Sequence, residues 1–229
     1  MHIKALNVLQ IKSEEYMKQM NTFLKGEGDN WFKRNEKYLK SVELEKDMPL
    51  KLIVNYNIKP KKVLEIGCSN GFRLHMISNL FDCECLGIEP SKKAILDGRN
   101  KYKNIKLLRG TCSKLPTNEK FDLVIVNFVL HWIDRNDLKN CFNEIDRVLD
   151  KKGILILGDF YPKNSMKNKY HHLPDENLYT YKEDYATKIC DYLDYVHIAH
   201  FSTKHGSSEL KLEFDENERI SYSLLLKDG

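Results

Sequence analysis

The sequence predicts an α/β protein whose mostly parallel sheet is covered by helices. Two observations carry this expectation. From Lys61 onward, short runs that are apolar at consecutive positions alternate with stretches of helical period. Such runs suit strands buried on both faces of a sheet. The first run also passes straight into a glycine-bracketed loop, Gly67-Cys68-Ser69-Asn70-Gly71, which opens a helix at Phe72. The chain has 229 residues, 41% hydrophobic and 31% charged, enough for one globular domain with a substantial core.

The elements follow in order. Residues 13–24 read as an amphipathic helix, with Ser13 as its cap, Glu14 and Glu15 in its first turn, and Tyr16, Met17, Met20, Phe23 and Leu24 on one face. A breaker cluster at 25–30 separates it from a second helix over 31–44. Asp47 followed by Pro49 starts a short third helix that ends before Pro60. Strands are expected at 63–66, 85–89, 105–108, 123–126 and 154–157. Between them, Phe72, Met76, Ile77 and Leu80 mark one helix face, Ser91 caps a second helix, and Leu138, Cys141, Phe142, Ile145, Val148 and Leu149 line a third. Strand–helix–strand repetition at this spacing implies parallel pairing. Residues 161–181 are rich in Tyr, His, Asn and Lys with little periodicity, and read as a long functional loop. A helix over 181–193 and strands at 195–202 and 219–226 complete the chain, the strand pair closing one sheet edge as an antiparallel hairpin. No internal repeat or low-complexity linker appears. One domain is expected, with a helical cap (1–60), a nucleotide-type core (61–160) and a substrate loop, helix and closing strands (161–229).

Composition narrows the function. The apolar runs are far too short to span a bilayer, and the start of the chain lacks a signal-peptide pattern, so no membrane partner and a cytoplasmic location are expected. The six cysteines include no Cys-x-x-Cys pair, which argues against a disulfide framework or a zinc site. A net charge of +4 from 37 basic and 33 acidic residues mixed along the chain gives no footprint for nucleic acid.

In the glycine loop, Gly67 permits a sharp turn and Gly71 lets the helix start close beneath a ligand, although a plain strand–helix turn would use the same glycines. Glu89 ends the second strand, where a carboxylate can accept hydrogen bonds from both hydroxyls of a ribose. A dinucleotide fingerprint starting at Gly67 would need glycine where the chain has Ser69 and Phe72, which weakens the dehydrogenase reading.

The residues instead resemble class I S-adenosylmethionine (SAM)-dependent methyltransferases. The first motif is Val63-Leu64-Glu65-Ile66-Gly67-Cys68-Ser69-Asn70-Gly71 and the second Gly87-Ile88-Glu89-Pro90-Ser91. The third runs from Arg109 through Thr111 and Cys112 to Pro116, the fourth from Phe121 to Asn127, and the fifth from Arg147 to Ile154. The resemblance implies a Rossmann-like fold with a mostly parallel seven-stranded sheet, an antiparallel last strand and an N-terminal helical cap. It also implies SAM as cofactor. Glu65, Gly67, Cys68, Ser69 and Gly71 would form the methionine end of its site, Glu89 and Pro90 the ribose end, and Thr111 and Cys112 the adenine border. Asn127 would face the amino-acid part or the acceptor. Many relatives carry an acidic side chain at position 111 or 112; here the adenine contact falls to backbone or the Thr111 hydroxyl.

The acceptor is read from other residues. Asn127-Phe128-Val129-Leu130 does not match the Asn-Pro-Pro-Tyr-like motif of adenine and glutamine amino methyltransferases, and the Pro-Cys nucleophile of cytosine-C5 enzymes is missing. A small molecule is the expected partner. The segments 26–35, 158–162 and 170–182 resemble a bacterial group of small methyltransferases associated with surface-polysaccharide and nucleotide-sugar biosynthesis, which implies a sugar-linked or amino alcohol phosphate acceptor methylated on O or N. Trp31 and Phe32 could close over the cofactor, with Arg34 reaching a carboxylate or phosphate; a cap helix with an exposed arginine is the plainer alternative. His131 follows the fourth strand and could act as catalytic base, or be a packed core residue beside Trp132. Asn35, Tyr161, His171, His172, Tyr179 and Tyr181 are the remaining candidates for the acceptor site, against their being a surface loop. No metal site is expected. An RNA or protein methyltransferase and a non-catalytic SAM-binding protein stay open as alternatives.

Overall fold

The computed structural model describes residues 18–39 and 44–229. Ser13 to Met17 of the first expected helix lie outside the described residues. Helix α1 (Lys18–Thr22) continues through one π-helical turn (Phe23–Glu27) into α2 (Gly28–Leu39). The expected break is therefore a single kink, where Gly26 leaves helical backbone at φ 166°, ψ −21°. Asp47 caps α3 (Met48–Asn55) as expected, accepting from Leu50 N at 3.0 Å.

The sheet is built from β1 (Lys62–Ile66), β2 (Glu84–Glu89), β3 (Lys106–Arg109), β4 (Phe121–Asn127), β5 (Leu149–Phe160), β8 (Tyr195–Lys204) and β9 (Arg219–Lys227). Their order is β3-β2-β1-β4-β5-β9-β8. The first five strands pair in parallel, and β9 lies antiparallel between β5 and β8. Helices α4 (Phe72–Phe81), α5 (Lys92–Lys101) and α6 (Leu138–Val148) are the crossovers. Apolar side chains on the two sides of the sheet form two cores. One packs Val124, Val126 and Leu155 against Phe142 and Ile145 of α6; the other packs Leu123, Ile125 and Ile156 against α3 and α4. This two-sided burial explains why the β4 and β5 runs are apolar at every position.

The expected loop 161–181 is in part a separate hairpin. Strands β6 (Met166–Lys169) and β7 (Tyr179–Lys182) pair antiparallel, Lys169 opposite Tyr179. Its residues are polar or half-buried, so no apolar alternation marks it. The following helix, α7 (Tyr185–Tyr192), starts after Asp184, whose carboxylate accepts from Thr187 N, and not at Tyr181.

Candidate active site

The strand order reverses between β1 and β4, and in open parallel sheets ligands bind beyond the carboxyl ends of such strands. The chain's glycine loop lies there. Gly67 has φ 74°, and a Cβ on it would sit 2.4 Å from Val129 Cγ2. The side-chain-free surface is thus required by the loop after β4. Gly71 caps α4 with φ 79°; it shapes the loop and lines neither cavity described below.

Glu89 is buried at the end of β2. Its two oxygens accept from Ser69 N and Ser91 N, each at 2.9 Å. Burial pushes its carboxyl up to about 7, against the two N–H donors that pull it down. Asp29 of α2 accepts from Ser91 Oγ at 2.7 Å and Lys93 N at 3.0 Å, which docks the cap helix beside this carboxylate. Glu89, Pro90, Thr111, Cys112, Gly67 and Trp31 then line a cavity of about 110 Å³.

A second cavity, about 520 Å³, shares Trp31 and Gly67 with the first and extends between α2, the β6–β7 hairpin and the ends of β4 and β5. Glu65, Cys68, Ser69 and Asn127 lie on one side of it, and Asn35, His131, His171 and His172 on the other sides. Three buried atoms on these residues have no hydrogen-bond partner: Glu65 Oε2, Ser69 Oγ and Asn127 Oδ1. Buried polar atoms are nearly always paired, so three orphans around one cavity mark a ligand site. The other Glu65 oxygen meets Arg73, which also pairs with Asp47 at 2.8 Å. Burial raises the Glu65 carboxyl to about 6, Arg73 opposing.

His131 is 4% exposed, and its Nδ1 is 2.8 Å from Asp159 Oδ1 at the end of β5. Asp159 Oδ2 accepts from His131 N at 3.3 Å and Oδ1 from Phe160 N at 2.8 Å. A carboxylate only accepts, so in the neutral ring the proton belongs on Nδ1 and Nε2 keeps a lone pair. The ring borders the cavity, wedged between Phe128, Trp132 and Phe160. Phe128 takes φ 56°, an uncommon conformation for a bulky residue, directly after Asn127.

Besides Gly71 and Phe32, four expected residues are not brought to either cavity. Arg34 is held by Glu27 at 2.5 Å and Tyr170 Oη at 2.8 Å, a clasp between cap and hairpin. Tyr161 packs on His200, with ring centroids 4.8 Å apart. Tyr179 stacks under Lys167 and Tyr181 under Arg135, because alternation along β7 turns both rings away and presents Thr180 and Lys182 to the cavity. Arg73, Lys182 and His205 border the second cavity and Asp159 holds His131 beside it, and sequence reasoning singled out none of them. Asp159 alone had a signal, since it directly follows the apolar run of β5 on the ligand-binding edge.

Residues 64–157 match the family model described as a methyltransferase domain. A malonyl-[acyl-carrier protein] O-methyltransferase of Bacillus anthracis is 28% identical over 102 residues, 43% of this chain and 37% of that one. The chain spans 37–61% of the length of the first curated relatives it matches. Among solved structures, the 1,6-didemethyltoxoflavin-N1-methyltransferase of Burkholderia thailandensis, with bound S-adenosylhomocysteine (SAH), aligns with TM-score 0.68 at 12% identity over 93% of this chain and 90% of that one. The N-methyltransferase NodS of Bradyrhizobium japonicum, in complex with SAH, aligns with TM-score 0.61 at 16% identity over 84% and 91%. These alignments extend the methyltransferase fold beyond the matched segment to most of the chain. Among the described residues no helix is long and apolar enough to cross a membrane, and no group of three or more His, Cys, Asp or Glu is placed to hold a metal.

Proposed function

We propose that the chain is a SAM-dependent methyltransferase that methylates an oxygen or nitrogen of a small molecule. The observation that carries this is the trio of unpartnered buried acceptors, Glu65 Oε2, Ser69 Oγ and Asn127 Oδ1, next to the Glu89 carboxylate. A ligand with an ammonium at one end and a ribose diol at the other satisfies both, and SAM is such a ligand. When bound, SAM supplies a methyl group on a sulfonium, which becomes a neutral thioether as the methyl leaves.

The chain's residues then divide the work. Glu89 accepts from the ribose hydroxyls, and Glu65, Ser69 and Asn127 accept from the ammonium. Thr111 and Cys112 border the adenine, and Trp31 covers the join between the two cavities. His131 Nε2 receives the proton that an attacking hydroxyl or amine loses as its bond to the methyl forms, while Asp159 fixes the ring through Nδ1. General-base help of this kind contributes about 10²–10⁴ in rate; alignment and exclusion of water by the cap supply the rest.

The acceptor is small on this reading because cap and hairpin roof the second cavity. In keeping with the sequence resemblance, it is a sugar-linked or amino alcohol phosphate precursor of a surface polysaccharide, and the free thiols fit a reducing cytoplasm. Calorimetry with SAM, SAH and NADH tests the cofactor: NADH binding without SAM binding would overturn it. A radiolabelled methyl-transfer screen over nucleotide sugars, amino alcohol phosphates and polyamines tests the acceptor, and labelling confined to added RNA or protein would sink the small-molecule reading.

A further inference from the structure

Taking the second cavity as the acceptor site, we propose that Lys182 and His205 form a subsite that seats a phosphate monoester of the acceptor while its nucleophilic atom faces His131. Lys182 is 8% exposed at the end of β7 and borders the cavity. Its ammonium donates to Asn217 O at 2.6 Å and lies 4.1 Å from the centroid of Phe160. Neither partner carries a charge, and among the described residues no carboxylate lies within ion-pair distance of it. An ammonium has three donors; one meets the carbonyl and one side meets the ring face, so at least one remains for a ligand. Glu218, Asp215 and Asp159 act on it only from beyond ion-pair distance, and burial outweighs them, lowering the Lys182 pKa below the ordinary lysine value. An anionic ligand offsets that cost of burial.

The surroundings favour the same ligand. His205 borders the cavity and packs on Phe128 and Phe160, with ring centroids 5.3 Å from each. Burial keeps its pKa low. Lys169, His171 and His172 line the cavity on the hairpin side. Glu65 is the one carboxylate among the lining residues, and Arg73 already holds it. Several donors and no free carboxylate suit a group with close to two negative charges and three acceptor oxygens better than a single carboxylate. The spacing is also informative. The Phe160 ring touches both Lys182 and His131, so anion and nucleophile belong to one compact molecule.

The test is a calorimetric titration of SAH-saturated protein with O-phosphoethanolamine, glucose 1-phosphate and inorganic phosphate, beside ethanolamine, glucose and malonate. The phosphate ligands are expected to bind at least about tenfold more tightly than the others. Lys182→Met should weaken them about tenfold or more, the loss of one hydrogen bond to a charged group. Lys182→Arg should retain most of the affinity, and His205→Asn should lose about threefold. Unchanged SAH affinity in each variant reports that it is folded. If SAH itself does not bind, the methyltransferase reading fails. If SAH binds but phosphate ligands bind no better than ethanolamine, glucose or malonate, or bind Lys182→Met like the parent, the phosphate inference alone is overturned.

Discussion

Replacing Glu89 by glutamine should abolish a pH dependence that the unmodified protein shows on binding SAH. The Glu89 carboxyl is raised from 4.5 to about 7, chiefly by burial. That difference disfavours the ionised form by on the order of 3 kcal/mol. Its folded value lies above its unfolded one. The protonated carboxyl therefore adds stability that is full below pH 4.5 and is lost as the pH rises through about 7. Ribose hydroxyls donate to the ionised form and favour it, so binding expels a proton wherever the carboxyl still holds one. If the bound carboxylate returns to its ordinary value, SAH affinity should rise about tenfold from pH 6 to pH 8 and then level. Calorimetry at pH 6, 7 and 8, each in two buffers of different ionisation heat, measures both the affinity and the proton released. The Glu89→Gln protein provides the baseline for every other titrating group, Glu65 and the ligand ammonium included. Glu89→Ala, which loses two hydrogen bonds to a charged acceptor, should weaken SAH by about 3 kcal/mol, roughly a hundredfold. Equal affinity at pH 6 and 8 with no proton release would refute the ribose assignment.

Other substitutions separate the parts of the site. His131→Asn should cut single-turnover methyl transfer by about 10²–10⁴ while leaving SAH affinity within about twofold; a matching loss in Asp159→Asn would mark that carboxylate as the group that positions the ring. Arg73→Met leaves Asp47 and Glu65 buried without their cation, and thermal or urea unfolding should report a loss of about 3–5 kcal/mol. Gly67→Ala places a methyl against Val129 in left-handed backbone, a strain of about 1–2 kcal/mol before any contact is counted. Its SAH affinity should fall, and adding Val129→Ala should restore part of it.

The sheet was legible in the sequence because its strands are buried on both faces, and burial of that kind leaves a run of apolar residues whatever the neighbours. The cofactor loop was legible because its backbone demands glycine at Gly67 and its neighbour across the sheet, Glu89, sits at a fixed offset. The acceptor half was not. Tyr179 and Tyr181 read as site residues from their chemistry, but strand pairing with β6 decides which face of β7 meets the cavity, and pairing of two polar strands leaves no trace in hydropathy. Lys182 lies on the same strand, and nothing in the hydropathy of β7 marks it as buried. Arg73 lies in the first turn of α4, and only the fold brings Asp47, from a helix that precedes the sheet, to meet it.

The cap is fastened beside both cavities largely by polar bonds. Within α2 only Gly28 and Phe32 are buried, so apolar burial holds it weakly, and polar ties do most of the fastening. On the cofactor side these are Asp29 to Ser91 and Lys93, and Arg109 to the carbonyl of Leu24. On the acceptor side Gln19 bonds Trp132 O at 2.8 Å and Tyr179 N at 2.7 Å, and the Glu27–Arg34–Tyr170 clasp fixes the hairpin. Each tie exchanges readily for water, unlike a packed core contact. Trp31 sits between the two sets and borders both cavities. The polar ties on both sides therefore converge on the cap that carries this tryptophan.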